Sequence, residues 1–142
     1  MDPALEQILN LLLESERAGV VAIDRLLADV THPDLRKLLT TSREDEAAAA
    51  AQLEQTLRAG GGAVSPAVGD FAAKVAAAGS LADRLKLLIH GEEWVARKVE
   101  DALALAPAAG AVHEQLLKMA NRHRFEVEWG RAELIRLMNT LG

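Results

Sequence analysis

A chain of 142 residues, of which 50% are hydrophobic and 26% charged, can close one hydrophobic core and is too apolar to be disordered. Its formal net charge of −5 argues against a nucleic-acid or anionic-membrane partner, because either would require a basic surface. The absence of cysteine excludes disulfides, thiolate metal sites and cysteine nucleophiles.

Hydrophobic residues recur at helical spacing over four segments, and the abundance of alanine and leucine favours helix throughout. The predicted helices span residues 3–30, 33–59, 80–106 and 111–140, within one domain of residues 1–142. Thr31-His32-Pro33 separates the first two helices, and Pro107 and Gly110 break the third helix from the fourth. Because these connections are short, each pair must form an antiparallel hairpin.

The connection between the two hairpins is much longer. It covers about residues 60–79, begins with three glycines, contains Pro66 and includes a short helical stretch around Phe71 to Ala77. This length can run back along the other helices at ~1.5–3.3 Å per residue. Two hairpins joined by one long crossover predict an all-α, antiparallel four-helix bundle.

Three of the predicted helices place a glutamate at the centre of an apolar stripe. Glu16, Glu46 and Glu92 each have apolar residues at offsets of −11, −7, +7 and +11, within about 20° on a helical wheel. The flanking residues are Leu5, Leu9, Ile23 and Leu27 in the first helix, Leu35, Leu39, Leu53 and Leu57 in the second, and Leu81, Leu85, Val99 and Leu103 in the third.

The fourth helix repeats this pattern with His123 at the centre of its stripe and Glu126 near the edge. These two residues are three positions apart and therefore share a helix face. The glutamates lie near the midpoints of their helices, which meet at one level in an antiparallel bundle. We therefore predict one polar layer, formed by Glu16, Glu46, Glu92, His123 and Glu126.

Carboxylates at core positions need compensation, because an unpaired buried charge loses several kcal/mol of solvation. A metal ion compensates naturally, since oxygen ligands with imidazole suit iron and manganese. We therefore interpret the five residues of the polar layer as candidate metal ligands. No nucleotide or organic cofactor is predicted, because the sequence has no Gly-rich phosphate loop and Gly60-Gly61-Gly62 lacks a following Lys-Ser/Thr.

The helix lengths, long crossover and midpoint glutamates resemble the ferritin-like superfamily of di-iron and di-manganese carboxylate proteins. The segments at residues 12–19, 43–46 and 91–95 are similar to a bacterial branch of it, for which the resemblance implies no particular activity. The superfamily pattern has one Glu from each of two helices and Glu-x-x-His from each of the others. Here Ala49 stands where a histidine is expected after Glu46, and Ala120 where a glutamate would precede His123. The resemblance thus implies iron or manganese binding with an incomplete ligand set, and an oxidase or metal-handling role.

Three other readings remain open from the sequence. The polar layer could be an ion-pair network in which Arg17, Arg97 or Arg122 neutralises the carboxylates without a metal. The chain could then be a degenerate ferritin-like bundle that acts as a dimeric interaction or scaffold module. It could also carry an apolar ligand, which would require a cavity among small residues such as Ala47 to Ala51.

Two further expectations concern location and assembly. Residues 1–6 lack the basic region of a signal peptide, and no stretch approaches the ~20 apolar residues that span a bilayer, so we expect a cytoplasmic protein. The first helix carries a second apolar stripe, with Leu11, Val21 and Ala22 away from the Glu16 face. This stripe predicts a homodimer.

Overall fold

The computed structural model describes the backbone of residues 1–141 and the side chains of residues 1–139. This part of the chain contains five α-helices and no strand, which confirms the predicted all-α class. The helices are α1 (Pro3–Asp29), α2 (Pro33–Ala59), α3 (Phe71–Ala77), α4 (Leu81–Leu105) and α5 (Ala111–Leu141). The count is five rather than the predicted four because the short helical stretch of the crossover forms a helix of its own, α3.

Side-chain caps fix where three of the long helices begin. The Asp2 carboxylate accepts a hydrogen bond from the backbone N–H of Ala4, and the Ser80 hydroxyl accepts one from Asp83. His32 caps α2. The first residue of both α1 and α2 is a proline. These starts set the positions of the apolar stripes along each helix.

Each long helix runs antiparallel to the long helices beside it. The main contacts join α1 to α2 and α4 to α5, and smaller contacts join α1 to α4 and α2 to α5. The end of α1 meets the start of α4 through an ion pair, in which Nη1 of Arg84 lies 2.7 Å from Oδ2 of Asp29. The end of α2 meets the start of α5 through a 2.8 Å hydrogen bond from Thr56 to Gln115. The four long helices therefore enclose a shared interior.

The crossover and α3 lie against α1. The Asn10 side chain accepts a hydrogen bond of 2.8 Å from the backbone N–H of Ser65 in the crossover. Further along, Ala72 and Val75 of α3 pack on the buried Ala22. The second apolar stripe of α1 is therefore covered within the chain.

Because α3 covers Ala22 and part of Val21, the predicted homodimer loses part of the apolar surface on which the prediction was based. Ala22 is buried and Val21 is half-buried against α3, while Leu11 is half-buried further along α1. The stripe from which we predicted the dimer is thus not a free surface. The homodimer stays a prediction, which sedimentation at high micromolar concentration tests.

The interior contains two large apolar clusters, one towards each end of the long helices. One cluster includes Leu9, Leu53, Val99 and Leu116, and the other includes Ile23, Leu39, Leu85 and Val127. Every long helix contributes to both clusters. The stretch of interior between them is where the central polar residues of the four helices lie.

The long helices are amphipathic rather than apolar all round. Their charged residues form surface ion pairs, such as Arg124 with Glu100 and Arg131 with Glu93. Within residues 1–141, no helix combines the length and the apolar character needed to cross a membrane.

Candidate metal centre

All five residues of the predicted polar layer are buried and meet between the two apolar clusters. Their exposed fractions are 1% for Glu16, 2% for Glu46, 7% for Glu92, 1% for His123 and 4% for Glu126. Four helices contribute one residue or more, in the way that the repeated stripe pattern predicted. The five side chains are therefore as little exposed as the apolar side chains of the clusters around them.

His123 lies at the centre of the polar layer. Its Nε2 lies 2.6 Å from Oε1 of Glu16, and its Nδ1 is hydrogen-bonded to Oε2 of Glu92. The Oε2 atom of Glu126, one turn further along α5, lies 3.4 Å from Nδ1. The imidazole thus has one nitrogen towards α1 and the other towards α4.

Four of the five residues form a group with the spacing of metal ligands. Glu46, Glu92, His123 and Glu126 each offer one ligand atom, and these atoms all lie within 4.8 Å of one another. Glu16 is not in this group. Its carboxylate binds Nε2 of His123 instead.

Several carboxylate oxygens of the polar layer have no hydrogen-bond partner. They are Oε2 of Glu16, Oε2 of Glu46 and both Oε atoms of Glu126, and all of them are buried. Each such group costs about 1–3 kcal/mol when it is left unsatisfied away from water. A cation among these oxygens would remove that cost, so the donor set fits a bound metal ion.

Arg122 places a guanidinium group beside the polar layer. Its Nη2 donates a 2.9 Å hydrogen bond to Oε1 of Glu16, and its Nη1 lies 3.5 Å from Oε1 of Glu126. Of the other two arginines that we considered, Arg17 pairs with Glu54 and Arg97 is exposed. An ion pair with the polar layer is thus present for Arg122, whereas Arg17 pairs outside the layer.

Burial shifts the protonation of two carboxyls. Burial raises the pKa of Glu46 well above its usual range, and the nearby charge of Glu92 raises it further. Burial, again with the charge of Glu92, raises the pKa of Glu126 to about 10. Glu126 therefore holds a proton at neutral pH in the metal-free protein, and burial disfavours the charged form of Glu46 as well.

His123 and Glu92 shift in opposite directions because they stabilise each other. Burial alone would lower the pKa of His123, but its hydrogen bonds to Glu16 and Glu92 raise that pKa to about 10. Burial alone would raise the pKa of Glu92, but its hydrogen bond and charge interaction with His123 hold that pKa well below its usual range. The imidazole is therefore protonated at neutral pH.

Gly19 gives the Glu46 carboxylate its space. A Cβ atom added at Gly19 would lie 2.5 Å from Oε2 of Glu46 and 2.9 Å from its Cδ. The sequence reasoning missed this residue. The available signal was a glycine inside a helix, which weakens the helix by ~0.5–1 kcal/mol relative to alanine and so indicates a close approach.

Two open clefts reach the polar layer from different sides. The first, here called the α1–α4 cleft, has a volume of about 450 Å³ and reaches Glu46 and Glu92. The second, the α2–α5 cleft, has a volume of about 430 Å³ and reaches Arg122 and Glu126. Neither is lined by Ala47 to Ala51, where the apolar-ligand reading would require a cavity.

Comparison with known proteins places the chain in a family without giving it an activity. A search of curated proteins finds no match. A family model described as "Domain of unknown function (DUF6306)" matches residues 4–133, a stretch that contains the whole polar layer. No family match names the ferritin-like superfamily, so that resemblance is not confirmed. Because the match covers most of its length, the chain belongs to the DUF6306 family.

Proposed function

We propose that this chain binds one iron or manganese ion in the polar layer, with Glu46, Glu92, His123 and Glu126 as ligands. One observation carries the proposal: each of these residues offers a ligand atom, and the atoms lie within 4.8 Å of one another. Bonds of ~2.0–2.4 Å place the ligands of a single ion no more than about 5 Å apart. The unpartnered oxygens of Glu46 and Glu126 are further support.

The donor set favours iron and manganese over other common ions. Three carboxylates and one imidazole form a hard, oxygen-rich site, whereas structural zinc is held mostly by thiolates and imidazoles. The position of the site, halfway along antiparallel helices joined by a long crossover, is also that of the ferritin-like carboxylate proteins. We propose that the fold belongs to that group.

We propose a single ion rather than a pair. The two positions that lack the superfamily's ligands hold Ala49 and Ala120, which are 6% and 2% exposed. Ala120 belongs to the apolar cluster that contains Leu116. A second ion there would meet methyl groups in place of an imidazole and a carboxylate.

Glu16 fits a positioning role better than the ligand role that we predicted from the sequence. It accepts from Nε2 of His123 at 2.6 Å, while Nδ1 is turned towards Glu92 and Glu126. A carboxylate on the far nitrogen of a ligating histidine fixes the orientation and basicity of the ring. Arg122 in turn holds Glu16 by a 2.9 Å hydrogen bond.

Protons and the cation compete for the same atoms. The metal-free polar layer holds protons on His123 and Glu126, and the pKa of Glu46 is raised in the same direction as that of Glu126. Ligand atoms must give up their protons to a metal. Metal binding should therefore release protons and strengthen as pH rises.

A bound iron or manganese ion would supply the redox chemistry of an oxidase or the exchange of a metal-handling protein, and we propose a role of that kind.

Elemental analysis of protein purified without chelators tests the proposal. We expect iron or manganese at close to one ion per chain, and little in Glu46→Gln. Glu44→Gln is the matched control, because Glu44 lies two positions away on α2 and is exposed. Wild-type protein that is metal-free and also ignores added Fe(II) and Mn(II) would contradict the proposal.

The other reading is a metal-free bundle that acts as an interaction module. The ion pair of Arg122 and Glu16 is the observation that favours this reading. That pair satisfies one carboxylate oxygen but leaves those of Glu46 and Glu126 without hydrogen bonds. A metal ion would bind an oxygen of each of these two residues, so we propose the metal-binding reading first.

A further inference from the structure

The α1–α4 cleft has the form of a small-molecule site. It lies between α1, α4 and the crossover, and its volume of about 450 Å³ is within the range of pockets that enclose organic ligands. Apolar side chains form most of its walls, among them Leu11, Ala18, Val68, Phe71, Leu87 and Trp94. Such walls favour a ligand with an apolar body.

The inner end of the cleft is polar. Glu46 and Glu92 line it there, and Oε2 of Glu46 is buried with no hydrogen-bond partner. Gly19 also lines the cleft and leaves room for this carboxylate. A ligand that donates a hydrogen bond at this end would satisfy the oxygen of Glu46.

The charges around the cleft disfavour an anion. Three carboxylates line the cleft besides the buried carboxyl of Glu46, namely Glu14, Asp70 and Glu92, and the lining includes no lysine or arginine. His90 is the remaining titratable group of the lining. A carboxylate or phosphate head group would meet like charges there, which costs binding energy.

The crossover forms the roof of the cleft and rests on a glycine of α4. A Cβ atom at Gly91 would lie 2.6 Å from Cζ of Phe71, so the ring packs directly on the α4 backbone. Gly69, two residues earlier, has a φ of +83°, a conformation that glycine adopts without strain. The two glycines thus shape the roof between Val68 and Phe71.

From these features we propose that the α1–α4 cleft binds a small organic molecule with an apolar body and a neutral or cationic head group that donates a hydrogen bond, such as an alcohol or an amine. The body lies among the apolar walls, and the head group donates to Glu46. The proposal goes beyond metal binding, because it applies to the metal-free chain, in which Oε2 of Glu46 has no hydrogen-bond partner. A cation bound at Glu46 would compete with the head group for this carboxyl.

Three probes with the same six-carbon body separate the effect of the head group: hexan-1-ol, hexylamine and hexanoate. The two tryptophans make the measurement local, since Trp94 lines the α1–α4 cleft and Trp129 lines the α2–α5 cleft. In Trp129→Phe, hexan-1-ol and hexylamine should change the Trp94 emission with saturation, and hexanoate should bind about tenfold more weakly or not at all. In Trp94→Phe, the Trp129 emission should not respond.

Filling the cleft should abolish binding. We expect Ala18→Leu, made in the Trp129→Phe background, to weaken hexan-1-ol at least about tenfold. Val68→Phe is a second blocking variant, and it carries less risk to folding because Val68 is 37% exposed. Thr41→Phe adds as much bulk to the α2–α5 cleft as Val68→Phe adds to the α1–α4 cleft, and it should leave binding unchanged.

The same titrations, run in EDTA and after loading with Mn(II), separate this proposal from the metal site. Saturable binding of the alcohol by protein that binds no Mn(II) would support the cleft and contradict the proposed metal function. Binding of Mn(II) without any saturable response to alcohol or amine would overturn the cleft proposal alone. Equal affinity for hexanoate, or an equal response of Trp129, would also overturn it.

Discussion

The polar layer and the leucine clusters on either side of it lie on the same helical stripes, yet burial has opposite consequences in the two regions. Leu39 and Leu53 flank Glu46 on α2, one at each side, and all three side chains are at most 2% exposed. Burial of the leucines stabilises the fold by removing apolar surface from water. Burial of Glu46 raises its pKa and leaves one oxygen without a hydrogen bond. Because a buried glutamate in the middle of a leucine stripe costs stability, we infer that Glu46 serves a function there.

The largest effect should come from truncating a leucine. Leu53 is fully buried in the cluster that also contains Leu9 and Val99. Leu53→Ala removes buried methyl groups and leaves a cavity, so we expect it to lower the free energy of unfolding by about 2–5 kcal/mol. Urea denaturation in EDTA measures this change. A loss below about 1 kcal/mol would mean that the cluster is loosely packed.

The same kind of measurement on Glu46→Leu should give the opposite sign. The change replaces a desolvated carboxyl with an apolar side chain, so in EDTA we expect it to be neutral or to stabilise the protein by ~1–4 kcal/mol. Leu53→Ala, seven residues along the stripe, is the comparison within the same helix. A loss of stability as large as that of Leu53→Ala would show that Glu46 is well satisfied in the metal-free protein.

Glu16→Gln should change the affinity for the metal ion but not the number of ions bound. Removing the carboxylate charge from the far side of His123 should lower the affinity for Mn(II) by about 10- to 100-fold. Isothermal titration calorimetry measures both affinity and stoichiometry, and the number of ions bound should not change. Glu14→Gln, on the same helix and outside the polar layer, is the control. An unchanged affinity in Glu16→Gln would remove the positioning role.

The pH dependence of stability should come from the polar layer. Glu126 and His123 hold protons up to about pH 10 in the folded chain, whereas in the unfolded chain they lose them near their ordinary pKa values. Glu46 shifts in the same direction. Because the folded state binds more protons, the metal-free protein should lose stability as pH rises from about 5 to 10. The lowered pKa of Glu92 acts in acid, where its contribution is lost as pH falls below about 4.5.

Urea denaturation in EDTA at pH 6 and pH 9 measures this dependence. The free energy of unfolding should be lower at pH 9, and Glu126→Gln should reduce the difference because it removes one of the shifted groups. Stability that rises between pH 6 and pH 9 would contradict the proposed proton occupancy of the layer.

The helices could be predicted closely because strong local signals mark their ends. The predicted segment 33–59 coincides with α2, and the other three long helices begin and end within one residue of their predicted bounds. Prolines and capping side chains fix the starts of α1, α2 and α4, and they act through neighbouring residues alone. The meeting of the five polar residues followed from repeated spacing about the midpoints of the helices.

Other features depend on how the helices rotate and pack against one another. The spacing of residues along a single helix does not determine this. The sequence did not reveal that Glu16 binds the far nitrogen of His123, and it left open which of Arg17, Arg97 and Arg122 reaches the polar layer. The cover of α1 by α3 was missed for the same reason. Gly19 carried a local signal, but its meaning depends on Glu46 of another helix.

Thermal unfolding of wild type and Glu46→Leu, each with and without Mn(II), tests the metal-binding polar layer most directly. At a hundredfold excess over Kd, Mn(II) should stabilise the wild type by ~2.7 kcal/mol, which is a rise in Tm of roughly 5–10 °C. The account predicts that this rise disappears in Glu46→Leu, although the variant without metal is at least as stable as the wild type. A rise of the same size in Glu46→Leu would contradict the account, because it would show that Glu46 is not a ligand.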